Sequence, residues 1–164
     1  MAPASEKITF EHKGIGTVLS QNTLAVPLNQ REYSWEEEHV TDLLTDFSNA
    51  IASNKSAYFL GTIVLTGGGN VPEVSDGQQR LATTTILLAA IRDYFQSTGE
   101  AARVTYFENT FLNAIDPKTT QIIPKLNIGL PMNKKSNPAL QETRRKGRVL
   151  ELGRWAAKRL GDGE

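Results

Sequence analysis

Apolar residues recur along this chain at helical spacing in four places. Val40, Leu43, Leu44, Phe47 and Ile51 follow an i, i+3, i+4, i+7, i+11 stripe, which predicts an amphipathic helix over 35–53. Ser34-Trp35-Glu36-Glu37 reads as its capping box, and the acids Glu36, Glu37 and Glu38 suit the positive end of a helix dipole. A second helix is predicted over 78–97, where Leu81, Ile86, Leu87, Leu88, Ala89, Ala90, Ile91 and Phe95 make most sides apolar. Such a helix belongs in the middle of a fold. Val104, Phe107, Phe111, Leu112 and Ile115 predict a third over 101–115, ended by Asp116-Pro117. A short turn over 14–21 has Ile15, Val18 and Leu19 as its apolar side.

Extended segments fall between these helices. Residues 23–26 predict a strand stopped by Pro27. Residues 57–65 are a nearly continuous apolar run, the pattern of a buried strand, in which Gly61 marks a bulge or a close backbone approach. Three glycines, Gly67, Gly68 and Gly69, then lead into a short strand over 71–74, antiparallel to the one before. No Gly-Lys-Ser/Thr follows them, so a Walker A loop is excluded and a hairpin turn is expected. Residues 122–123 and 126–128 are weaker strand candidates, and Pro124 between them favours a sheet edge.

Composition removes several chemistries. The 164 residues suffice for one domain with a core, or one domain with an appendage, and 39% hydrophobic with 22% charged residues is ordinary for a soluble protein. The absence of cysteine excludes disulfides, Cys-zinc sites and thiol chemistry. His12 and His39 have no ligand spacing around them, which argues against a histidine metal site or a Ser-His-Asp triad. No signal peptide or membrane span is evident, since the apolar run 86–91 is too short, and a cytoplasmic location is expected. Charge is uneven: residues 1–133 hold 9 Lys/Arg against 14 Asp/Glu, and residues 134–164 hold 9 against 4. An acidic body with a basic tail follows.

The chemistry concentrates at Asp76-Gly77-Gln78-Gln79-Arg80, where a strand meets the central helix. A helix start presents unpaired N–H groups and partial positive charge, which suit a phosphate, and an arginine there adds a planar fork for phosphate oxygens. Asp76 suits a divalent cation carried by phosphates. The structural alternative is an N-cap at Asp76 with Gln79 completing a capping box. A second polar group, Gln30-Arg31, follows the first strand and also precedes a helix; its alternative is an ion pair from Arg31 to Glu36 or Glu37. Tyr33 and Trp35 are stacking surfaces for a base or, alternatively, core and staple residues. The basic tail, with Arg144, Arg145, Lys146, Arg148, Arg154, Lys158 and Arg159, reads as a phosphate-binding segment, as a solvated helical face, or as a segment that packs against something missing from this chain.

Three motifs in order, Val26-Pro27-Leu28-Asn29-Gln30-Arg31-Glu32-Tyr33-Ser34-Trp35, Tyr58-Phe59-Leu60-Gly61-Thr62-Ile63 and Asp76-Gly77-Gln78-Gln79-Arg80-Leu81, resemble the N-terminal domain of GmrSD-type restriction enzymes, within the ParB/sulfiredoxin-like superfamily. The resemblance covers about residues 10–130 and leaves 131–164 as a basic tail, with two readings open: a tail in its own right or a truncated C-terminal extension. It implies an α+β fold, a small mixed sheet packed with helices. It also implies binding and metal-dependent hydrolysis of a nucleoside triphosphate (GTP, CTP, UTP or ATP) with Mg²⁺, in a restriction or anti-phage defence protein acting on modified or foreign DNA. A non-catalytic regulatory or DNA-binding module is the alternative. Carried over by position, Gln30, Arg31, Gly77, Gln78, Gln79 and Arg80 would bind the nucleotide, Asp76 the metal, and Asp76 and Arg80 would act in catalysis. The family couples this domain to a His-Asn-His nuclease domain or subunit, for which this chain lacks both length and histidines. DNA cleavage is therefore not expected of it alone.

Overall fold

The computed structural model describes residues 9–27, 33–67 and 71–127. In chain order the elements are α1 (Ile15–Gln21), β1 (Leu24–Ala25), α2 (Glu37–Ala52), β2 (Val64–Thr66), β3 (Glu73–Asp76), α3 (Gln78–Ser97) and α4 (Ala101–Phe107). A π-helical segment (Glu108–Leu112) follows, then β4 (Asn113–Ile115), β5 (Ile122–Pro124) and β6 (Leu126–Asn127). Helices and a small mixed sheet make this an α+β domain, as expected. Among the described residues no helix is long and apolar enough to cross a membrane.

The main sheet runs β2-β3-β1-β6. Central β1 pairs in parallel with both β3 and β6, through Ala25 with Glu73 and Leu24 with Leu126. The hairpin partner β2 is antiparallel to β3, with Val64 opposite Asp76 and an irregularity between Val64 and Leu65. Because β1 and β3 are parallel neighbours, the chain leaves both at the same edge of the sheet, the arrangement that gathers loops into one place.

Leu19, Leu24, Val74 and Leu81 are fully buried and form one cluster with Val26, Ala82 and Leu126. Each such side chain contributes roughly 1.5–3 kcal/mol by leaving water. A second cluster holds Ile91 and Phe95 against Val104 and Phe107. Helix α3 supplies side chains to both, Leu81 and Ala82 at its start and Ile91 and Phe95 toward its end. The nearly all-round apolar pattern therefore marks a central helix, and the predicted span 78–97 is the observed one.

Three elements depart from expectation. The 101–115 helix stops being α-helical after Phe107 and widens to a π turn before Asn113 joins β4. Two groups of Lys125 meet this segment, its Nζ donating to Thr110 O at 2.8 Å and its N–H to Leu112 O at 2.9 Å. The apolar run 57–65 is not a buried strand: only Val64–Thr66 pairs, and Phe59 is 76% exposed. Residues 57–63 instead lie between α2 and the start of α3, holding polar partners on both. Finally, α2 is capped two residues later than expected, by Glu36, whose side chain accepts from the His39 N–H while His39 Nδ1 accepts from the Glu36 N–H at 3.3 Å.

Candidate functional site

Strand β3 ends at Asp76, and the chain turns into α3 through Gly77 at φ 85°, ψ 10°. That left-handed conformation favours glycine. Space requires it too, since a Cβ on Gly77 would lie 2.9 Å from Ile63 Cγ1 and 3.1 Å from Thr62 O. The N-cap of α3 is therefore Gly77 itself, with no side-chain cap. The alternative of an Asp76 cap completed by Gln79 does not hold, because Asp76 is still paired in the sheet opposite Val64. Gln79 Oε1 instead accepts the backbone N–H of Ser34 at 3.1 Å. The first intrahelical bond of the turn runs from Leu81 N–H to Gly77 O at 3.0 Å.

Arg80 faces the link 57–63. Its Nη1 donates to Thr62 O at 3.1 Å. Gly61, at φ 106°, lies so close that a Cβ there would stand 3.0 Å from the guanidinium carbon. Gly61 thus has the close backbone approach expected of it, and the group that approaches is the arginine of the next motif. Three residues before Gly61, the Tyr58 hydroxyl donates to Asp46 Oδ2 on α2 at 2.8 Å, and the Tyr58 ring meets Phe47 edge-on at 5.3 Å. Burial, then the Asp46 hydrogen bond and charge, hold the Tyr58 phenol above its ordinary value of 10.0, while the Arg80 charge acts in the opposite sense.

The segment entering α2 also reaches α3. The Thr83 hydroxyl donates to Gln79 O at 2.8 Å and so accepts the 2.9 Å hydrogen bond from the Tyr33 hydroxyl. Trp35 is half-buried and stacks on His39 with centroids 6.0 Å apart. Thr84 is buried, and its hydroxyl has no partner among the described residues.

Of the sequence-predicted site residues, Asp76, Gly77, Gln78, Gln79 and Arg80 form one continuous turn, with Asp76 exposed and Gln78, Gln79 and Arg80 half-buried. Gln30 and Arg31 lie outside the described residues, as does the tail 131–164 with its basic side chains. Among the described residues no three His, Cys, Asp or Glu side chains are grouped to hold a metal ion. Asp46 was missed by sequence reading: it sits on the polar side of the α2 stripe and looks like any solvated acid. Lys125 was also missed. It is 8% exposed, and its Nζ donates to Ser20 O at 2.6 Å as well as to Thr110 O.

Residues 15–152 match the family described as GmrSD restriction endonuclease, N-terminal domain. A comparison with curated proteins gives no match. The match spans most of the chain, and the chain belongs to this family, which places it among restriction-type defence proteins. It also runs past residue 130, where the motif resemblance ends, so Arg144, Arg145, Lys146 and Arg148 fall within the family's domain.

Proposed function

We propose that the turn over residues 76–80 binds the triphosphate of GTP, CTP, UTP or ATP together with Mg²⁺, and that the domain hydrolyses it to regulate a nuclease acting on modified or foreign DNA. The observation that carries this reading is the start of α3, a 20-residue helix that begins at a left-handed glycine with no side-chain cap and bears an arginine in its first turn. Backbone N–H groups and a guanidinium are the donors a phosphate needs, and the helix dipole adds to their charge.

Arg80 would neutralise phosphate charge, held in place by its Thr62 O bond and by the bare backbone of Gly61. The N–H groups of Gly77, Gln78 and Gln79 would donate to phosphate oxygens. Gln30 and Arg31 join the proposal because β1 and β3 leave the sheet at one edge, and because Ser34 and Tyr33, just beyond them, contact Gln79 and Thr83. When bound, Mg²⁺ supplies charge neutralisation across the phosphates. A single exposed carboxylate, Asp76, fits a cation that keeps its waters and arrives with the nucleotide, and does not fit a pre-formed protein cage. As the one carboxylate of the turn, Asp76 would also orient the attacking water, and slow turnover is expected from so sparse a set.

Calorimetric titration of the full chain with each of the four nucleotides and Mg²⁺ tests this. The expected result is binding of about −8 kcal/mol, a micromolar Kd, lost in Arg80→Ala and weakened in Asp76→Ala. No binding by a folded protein would sink it. The second reading, phosphate contacts to DNA without nucleotide specificity, is favoured by the basic balance of residues 134–164. Its mark is DNA affinity that falls steeply with salt and ignores added nucleotide. A His-Asn-His nuclease domain or subunit is the partner proposed for either reading.

A further inference from the structure

Of the two aromatic residues that lead into α2, one ring is covered and the other is not. Trp35 is half-buried and stacks on His39 with centroids 6.0 Å apart. Tyr33 is 45% exposed, and among the described residues no other aromatic ring packs against it. An exposed side chain ordinarily hops between rotamers, but this one is tethered. Its hydroxyl donates at 2.9 Å to Thr83 Oγ1, a buried group whose own proton goes to Gln79 O at 2.8 Å. The N–H of the next residue, Ser34, donates to Gln79 Oε1 at 3.1 Å. Gln79 and Thr83 stand four residues apart in α3 and therefore on one face of it. Two adjacent residues are thus fastened to the first turns of that helix. The hydroxyl end of the ring meets α3 about 7.5 Å along the axis from Gln78, at a rise of about 1.5 Å per residue.

We infer that Tyr33 is the platform on which the base of the nucleotide stacks. This rests on the triphosphate reading above and deepens it. A nucleotide held by its phosphates at the start of α3 extends its ribose and base away from them, and beside the face bearing Gln79 and Thr83 an exposed ring is already held. The tether matters because the ring loses its rotamer freedom on folding, so that binding does not have to remove it. The phenol is occupied by Thr83, which leaves the π face of the ring, and not a hydrogen-bonding edge, for the ligand. Stacking on a π face accepts every base. The platform therefore adds affinity for nucleoside triphosphates as a class and does not choose among GTP, CTP, UTP and ATP.

Inorganic tripolyphosphate, which has the phosphates without a base, separates the platform from the turn. It and each of the four nucleotides, all with Mg²⁺, are titrated into the full chain and into Tyr33→Leu, Tyr33→Phe and Thr83→Val. Tyr33→Leu is expected to bind all four nucleotides about tenfold more weakly, and tripolyphosphate within about twofold of the unmodified chain. Tyr33→Phe keeps the ring and loses only the tether, so it is expected to recover to within about threefold, and Thr83→Val, which cuts the same tether from the other side, is expected to match it. Unchanged nucleotide binding in Tyr33→Leu overturns the inference. So does an equal loss for tripolyphosphate, which would make Tyr33 a support of the turn, and so does a loss confined to one base, the mark of hydrogen-bonded readout. If Tyr33→Leu does not fold, the two tether variants carry the test. A loss in both that spares tripolyphosphate supports the platform, and no loss, or one shared by tripolyphosphate, overturns it. Absence of binding of nucleotides and tripolyphosphate alike by the unmodified chain defeats the triphosphate reading and this inference together. Nucleotide binding that depends on Arg80 but ignores Tyr33 defeats this one alone.

Discussion

Lys125 and Arg80 both donate to backbone carbonyls, and they end in opposite conditions. Lys125, between β5 and β6, is buried and gives Nζ bonds to Ser20 O in the last turn of α1 and to Thr110 O in the π segment. Its own N–H goes to Leu112 O, and its carbonyl accepts the Leu24 N–H of β1 at 2.6 Å. Arg80 gives one bond, at 3.1 Å, and stays half-exposed. A guanidinium has five N–H donors, so most of its capacity is uncommitted among the described residues. The difference separates two uses of positive charge. A cation whose donors are taken up by the backbone fastens elements together, and one with spare donors at an accessible helix start is ready for an anion.

The largest test of that division is Lys125→Met set against Arg80→Ala. Methionine fills much of the same volume but leaves the Ser20 and Thr110 carbonyls unpaired, each costing of order 1–3 kcal/mol, partly offset by no longer burying a charge. A net loss of about 3 kcal/mol is expected by chemical denaturation. Arg80→Ala should lose less than about 1 kcal/mol, since a single half-exposed bond is removed. Equal losses would erase the distinction. The pH dependence sharpens it. Burial depresses the Lys125 ammonium below its ordinary 10.5, so folding favours the neutral form. The stability this lends is present above 10.5 and is lost as pH falls through the depressed value. The stability gap between the unmodified chain and Lys125→Met should therefore widen on raising pH across that window. The Tyr58 phenol, whose value is raised, titrates nearby with the opposite sign, but it is common to both proteins and cancels in the difference.

Next in size is Gly77→Ala, which probes the accessible side of the comparison. The new Cβ meets Ile63 Cγ1 at 2.9 Å and Thr62 O at 3.1 Å, at a φ of 85° that L residues rarely adopt. A destabilisation of about 2 kcal/mol is expected. Thr62 O is also the Arg80 acceptor, so relief of the clash by moving the link would displace the guanidinium. Nucleotide affinity should fall with stability. A variant that loses stability but binds normally would show that Arg80 does not need its brace.

The two cations also differ in how legible they were. The turn at 76–80 shows in the sequence because strand, glycine and an arginine at a helix start are local signals within a few residues. The central role of α3 was equally plain, since its apolar pattern alone requires burial on several sides. Lys125 gave no such signal. Its partners are Ser20 and Thr110, 105 and 15 residues away, and a single lysine between two short strands reads as a solvated edge residue. The π segment was hidden for the same reason: Phe107 and Phe111 keep helical spacing through it, and the widening is met by a distant ammonium. Residues 57–63 misled because apolar composition predicts burial, whereas Gly61 and the Thr62 carbonyl are occupied by Arg80 from another element.

The smallest effect comes from an anion that mirrors Lys125 at the surface, and it asks whether burial or hydrogen bonding makes a charge structural. Asp116, in the turn joining β4 to β5, accepts the Lys118 N–H at Oδ1 over 2.8 Å. That bond first, then the Thr119 hydroxyl, holds its carboxyl below the ordinary 3.8. The stability it lends is present above 3.8 and lost as pH falls through the lowered value. Thermal melts of the unmodified chain and Asp116→Asn should differ slightly near neutral pH and converge as pH falls through the lowered value. Asparagine keeps an acceptor for the same N–H, so only the charge is removed. If the difference is small, hydrogen bonds to a charged group in open solvent are weak fasteners, and the structural weight of Lys125 derives from burial. A difference as large as that of Lys125→Met would mean that saturation by backbone partners is sufficient. The uncommitted donors of Arg80 would then be a better guide to its role than its exposure.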